Sequence, residues 1–201
     1  MGLLGFVALV CSVGCGSGGD ARSEELWVID FQTHAGALEA VAFDLRLDRL
    51  AVENATMNHL ERFYAAFPIT FIAGTARPSG TFSSICVRNG VDHRIGRGAL
   101  DIGNDDADFD CGDSGGAPRG VFIDQLALVA APQIASSGLT TSQRSEFFAR
   151  LLALALAHEI GHGLGLEHST GIMASVPNFD IHANHAFTPE QARILATNIV
   201  R

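Results

Sequence analysis

The sequence predicts an α+β fold, with a mixed sheet over two helices and an irregular C-terminal portion closed by a further helix. Three observations predict it. Short β-forming segments alternate with helical patterns through the first half of the chain. A long helical pattern over residues 138–165 comes late, and another helix signal follows at Thr188. The 201 residues, 47% of them hydrophobic, suffice for one domain with its own core.

The first half of the chain supplies most of the predicted sheet. Segments rich in β-forming side chains, some interrupted by glycine, predict strands at residues 26–31, 69–73, 84–88, 95–103 and 121–129. Residues 35–47 fit either a short helix or one arm of a hairpin. Residues 48–67 carry apolar side chains at helical spacing, and Pro68 is expected to end that helix.

The later helices are marked by two capping boxes, in which a threonine precedes a glutamine by three residues. Thr140 and Gln143 predict the start of the long helix within residues 138–165. Thr188 and Gln191, with a proline at the first helical position, predict the start of the last helix.

The N-terminal residues 1–25 are predicted to be a signal segment followed by a Gly-rich tether. Their apolar run over residues 3–13 is too short to span a bilayer and is typical of a secretory signal. The sequence Ser-Val-Gly-Cys ending at Cys15 resembles the lipobox of bacterial lipoproteins, in which this cysteine carries the lipid anchor. The alternative is an ordinary cleaved signal. We expect an exported protein in either case, held in the cell envelope or secreted.

The net charge bears on the class of binding partner, and the cysteines bear on a disulfide. The net charge of −9, without a Lys/Arg cluster, excludes a nucleic-acid partner of the usual basic kind. In an exported protein, Cys86 and Cys111 are predicted to form a disulfide, which would contribute about 3 kcal/mol by closing its loop. Two free thiols or metal ligands are the alternative, although no Cys-x-x-Cys spacing supports it.

The residues HEIGHGLGLEH at positions 158–168 predict a metal site. His158 and His162 are four residues apart, so they lie on one face of a helix. His168 is too far along the axis to join them unless the helix ends, and Gly165 can end it in the left-handed conformation. Three histidines leave a fourth position for water, which is typical of catalytic zinc.

Glu159 follows the first of these histidines and lies beside the metal-binding face. From there its carboxylate can reach a water molecule on the metal without being a ligand. We therefore expect Glu159 to act as the general base and later to protonate the leaving amine.

The pattern HExxHxxGxxH followed by a methionine turn resembles the signature of metzincin zinc peptidases. Met173, within Gly-Ile-Met-Ala, supplies that turn, and the stretch is most similar to matrixins and their bacterial relatives. The resemblance implies a twisted mixed sheet, two long helices and a C-terminal subdomain. It also implies Met173 as a support beneath the zinc, and a catalytic domain over residues 26–201 that cleaves proteins or peptides. We expect a monomer. No tyrosine follows Met173, so the tyrosine ligand of astacin-like enzymes is absent.

Other patterns and readings leave alternatives open. The acidic loop that begins with Asp105 and ends with Asp113 fits either a calcium site or a solvated loop. Ser114, in Gly-Asp-Ser-Gly-Gly, resembles the nucleophile segment of trypsin-like peptidases, but a Gly-rich turn is the plainer interpretation. His182 and His185 fit a cleft wall, a second metal site or a polar loop. A non-catalytic zinc lipoprotein is the competing hypothesis, and hydrolysis of a non-peptide amide would use the same residues.

Overall fold

The computed structural model describes residues 25–75, 78, 82–90, 94–96, 100–103, 120–175 and 185–199. The strands are β1 (Glu25–Asp30), β2 (Ile69–Ala73), β3 (Phe82–Arg88), β4 (Leu100–Gly103) and β5 (Val121–Phe122). The helices are α1 (Ala35–Leu45), α2 (Arg49–Phe63), α3 (Ile123–Ser136), α4 (Thr141–Gly163) and α5 (Pro189–Asn198), with a 3-10 turn at Gly171–Met173. The predicted signal and tether, including Cys15, lie outside the described residues.

The strands form a mixed sheet, as predicted. Their order is β2-β1-β3-β4, and β5 also pairs with β3. β1 runs parallel to β2 and to β3, and β3 runs parallel to β5. The β3–β4 pair is antiparallel. Trp27, Val28 and Ile29 of β1 are all buried, as expected for the central strand of a sheet covered by helices.

The helix α4 passes through the core and carries the residues of greatest interest. Every residue from Phe147 to Gly161 is buried except Arg150. It packs on α2 and α3, and the hydroxyl of Tyr64, just after α2, donates a 2.9 Å hydrogen bond to the Ala157 carbonyl. The capping boxes predicted for α4 and α5 are both present.

The strand predicted over residues 121–129 is wrong beyond its first two residues. Only Val121–Phe122 is extended, and the chain then continues as α3. The buried side chains of α3 are spaced by three or four residues, at Ile123, Leu126, Ala130 and Ile134. Leu128 is 67% exposed, although a buried strand would cover it. A short apolar run does not by itself distinguish a buried strand from a helix.

The structure also decides the type of one element and corrects the end of another. Residues 35–47, which fitted helix or hairpin, form the helix α1. The helix α2 ends at Phe63 rather than at residue 67, because the chain turns there and the Phe67 amide donates to the Tyr64 carbonyl at 2.9 Å. In the part of the chain that the structure describes, no helix has the length and hydropathy needed to cross a membrane.

Candidate metal centre

The last turns of α4 place His158 and His162 side by side. The Nδ1 atom of His158 lies 2.8 Å from the Ile172 carbonyl oxygen, and that of His162 lies 2.8 Å from the Leu166 carbonyl oxygen. A carbonyl only accepts, so each Nδ1 donates its proton and each ring is left with a lone pair on Nε2. The backbone therefore fixes the tautomer that a metal ligand requires.

The third histidine reaches the other two because the chain reverses after α4. Gly165 has φ of +86°, the left-handed conformation expected for it from the sequence. The Gly165 amide donates to the His162 carbonyl at 3.0 Å, and the Leu166 amide donates to the Gly161 carbonyl at 2.8 Å. These bonds close the helix end and bring His168 back over its final turn.

The three Nε2 atoms form a small triangle. His162 Nε2 lies 3.1 Å from that of His158 and 3.1 Å from that of His168, and the remaining side is 3.3 Å. Nitrogens bound to one tetrahedral zinc at 2.0–2.1 Å would be about 3.3 Å apart. Converging lone pairs at this separation repel one another unless a cation lies between them. The donor set and its spacing therefore fit a metal ion.

Burial supports the neutral state of His158. Desolvation lowers the pKa of His158, and the nearby His162 and His168 lower it further when charged. The hydrogen bond with Ile172 partly opposes this shift. A metal ion and a proton compete for the same nitrogen. A lowered pKa therefore favours the neutral imidazole, which is the form that can bind a metal ion.

Glu159 is 8% exposed and lies against a segment at the edge of the sheet. A side chain at Gly96 would overlap the Oε1 atom of Glu159, so only a glycine leaves this carboxylate its observed place. Gly96 is bridged in antiparallel fashion to Val121, and the Phe122 amide donates to the Ile95 carbonyl at 2.7 Å. No sequence pattern marks Gly96, because it is distant from α4 along the chain and contacts it only in the folded structure.

Met173 packs against the helix turn that carries His158 and His162. Its side chain is fully buried, and a Cβ placed on Gly161 would lie 2.5 Å from its Sδ atom. Gly161 lies between the two helical histidines in sequence. Because it has no side chain, the sulfur of Met173 can approach the helix backbone there. The Ser169 amide donates to the Met173 carbonyl at 2.8 Å, which ties this turn to the segment just after the third histidine.

The remaining predicted residues lie elsewhere or beyond the described part of the chain. Cys86 is disulfide-bonded, but Cys111 lies outside the described residues, so the pairing remains a prediction. The acidic loop from Asp105 to Asp113, Ser114 and His182 also lie outside them. Among the described residues, the three histidines are the one group of three or more His, Cys, Asp or Glu placed to hold a metal ion.

Comparisons with known proteins identify no relative. No protein-family model matches the chain, and no significant match was found among curated proteins or solved structures.

Proposed function

We propose that this protein is a zinc-dependent endopeptidase of the metzincin type. The observation that carries the proposal is the convergence of the three Nε2 atoms within 3.1–3.3 Å, with the buried Glu159 directly after the first ligand. The mixed sheet, the long buried helix α4 and the methionine turn under it support the metzincin fold. We extend the same proposal to the catalytic role of Glu159.

The donors favour zinc over the other common ions. Three imidazoles and no carboxylate are a poor set for calcium or magnesium, which prefer oxygen. Neutral imidazole suits zinc, although copper, nickel and iron also accept it. A site with three protein ligands keeps a fourth position for water or substrate, whereas structural zinc sites use four protein ligands.

A zinc ion held by the three histidines would act as a Lewis acid toward the scissile carbonyl and lower the pKa of water to about 7. Glu159 would accept the proton of the attacking water and pass it to the leaving amine. The contact with Gly96 limits the directions in which the carboxylate can turn. The carbonyls of Ile172 and Leu166 would keep two ligand rings oriented while the proton moves.

The test is a Glu159→Gln variant, which keeps the shape of the side chain and removes its basicity. We expect peptide hydrolysis to fall by about 10²- to 10⁴-fold, the usual contribution of a general base. Zinc content should stay at one ion per chain. Glu146→Gln is the matched control, because Glu146 lies on the same helix but contacts His59, at 2.9 Å. It should keep full activity.

Two results would contradict the proposal. Peptide hydrolysis by Glu159→Gln at the wild-type rate would show that Glu159 is not the general base. A wild-type protein that binds zinc but cleaves no member of a broad peptide library would favour the non-catalytic zinc protein instead.

A further inference from the structure

The two capping glutamines of this protein occupy the same helix position but have different surroundings. Gln143 at the start of α4 accepts hydrogen bonds from the amide and the hydroxyl of Thr140, and it is exposed. Gln191 at the start of α5 accepts from the Thr188 amide at 2.8 Å, yet only 4% of it is exposed. Capping alone does not require that burial, since Gln143 caps its helix from the surface.

The buried end of Gln191 contacts the segment that follows the third histidine. Its Nε2 atom donates to the Ser169 hydroxyl oxygen at 2.7 Å and to the Thr170 carbonyl at 2.9 Å. Its amide group is thus engaged at both ends, by the helix cap and by the loop. Ser169 directly follows His168, so the anchored backbone is one residue from the ligand.

The same helix contacts the start of this loop. Asn198, at the end of α5, donates from Nδ2 to the Leu164 carbonyl at 2.8 Å. The chain from Leu164 to Thr170, which carries His168, is therefore held at both ends by α5. His168 itself is exposed, whereas His158 is buried in the core. Its place depends on this loop rather than on packing.

We propose that Gln191 is a positioning residue, which sets His168 in place before the metal binds. This inference rests on the proposed metal site. Ordering a loop costs conformational entropy. Without the hydrogen bonds from Gln191, metal binding itself would have to order the loop, and the affinity for the metal would fall. Hydrogen bonds that orient metal ligands from outside typically change metal affinity by about 10- to 100-fold. Gln191 acts one residue further away, so we expect the lower end of that range.

The test is Gln191→Glu, with Gln143→Glu as its matched control. Glutamate also caps a helix at this position, so both variants keep the capping box. Gln191→Glu replaces the donor to Ser169 and Thr170 with a buried carboxylate oxygen, which would face the Thr170 carbonyl oxygen. The measurements are the zinc Kd, by competition with a chromophoric chelator, and the melting temperature of the metal-free proteins. The cobalt(II) absorption spectrum reports the geometry of the bound metal.

We expect Gln191→Glu to raise the zinc Kd about tenfold or more and to alter the cobalt spectrum, whereas Gln143→Glu leaves both unchanged. An unchanged zinc Kd in Gln191→Glu, or an equal rise in both variants, would overturn the inference. If Gln191→Glu does not fold, Ser169→Ala removes one acceptor from the other side. A several-fold rise in its Kd supports the inference, and wild-type affinity overturns it. Absence of zinc binding by the wild-type protein would instead refute the proposed function.

Discussion

The packing of Met173 against Gly161 makes a quantitative prediction for Gly161→Ala. In an exposed helix interior, alanine stabilises by about 1 kcal/mol relative to glycine. Here the new methyl group would lie 2.5 Å from Sδ and 3.2 Å from Cε of Met173, and 3.3 Å from Cδ1 of Leu166. Both side chains are buried, so neither can turn out to solvent.

Overpacking of this kind costs about 1–3 kcal/mol. Two blocked neighbours suggest the upper half of that range, which leaves a net loss of about 1–2 kcal/mol after the gain in helix propensity. In a protein of this size, that corresponds to a fall in Tm of about 2–8 °C. In a Met173→Ala background the overlap with Met173 is removed and only the milder contact with Leu166 remains, so Gly161→Ala should cost clearly less there or become neutral.

The assay is urea unfolding of the metal-free variants, so that metal affinity does not enter the result. Gly36→Ala is the control, because Gly36 is in α1 and a Cβ there would have no neighbour within 4 Å. That variant should be neutral or up to about 1 kcal/mol more stable. If Gly161→Ala is as stable as the wild type, or if Met173→Ala does not relieve it, Met173 does not support the helix in this way.

Two further predictions concern the proton and the carboxylate. The pKa of His158 is lower in the folded state than its ordinary value of 6.5, so the unfolded chain binds more protons as the pH falls below about 6.5. The metal-free protein should therefore lose stability as the pH falls below about 6.5, and urea unfolding should show a smaller loss for His158→Gln. Equal pH dependence of the two proteins would contradict the lowered pKa of His158. Gly96→Ala should reduce peptide hydrolysis at least tenfold with little change in Tm, because the new methyl displaces the movable end of Glu159 rather than the backbone; unchanged kcat would show that this carboxylate tolerates the shift.

Local chemistry explains which features the sequence predicted well. The capping boxes at Thr140 and Thr188 use side chains three residues apart, so the sequence contains the whole interaction. The three histidines are likewise close in sequence, and a single left-handed glycine, Gly165, turns the chain between the second and the third.

Features that depend on distant parts of the chain were not predictable. The α3 segment has an apolar composition that also suits a buried strand, and only its packing against neighbouring helices selects the helical spacing. Gly96 and Gln191 are far from the motif in sequence, and no local pattern links them to Glu159 or Ser169. Their contacts form only in the folded chain, where the Gly96 segment meets α4 and α5 meets the loop after α4.

The most direct test of the central claim is X-ray absorption at the zinc edge on the purified, zinc-loaded protein. Three imidazole nitrogens at about 2.0–2.1 Å and one further light atom, with no sulfur, are the result that the three-histidine site predicts. Loss of one imidazole should follow from His168→Ala. A sulfur ligand, a fourth imidazole or a protein that retains no zinc would contradict a catalytic site built on His158, His162 and His168.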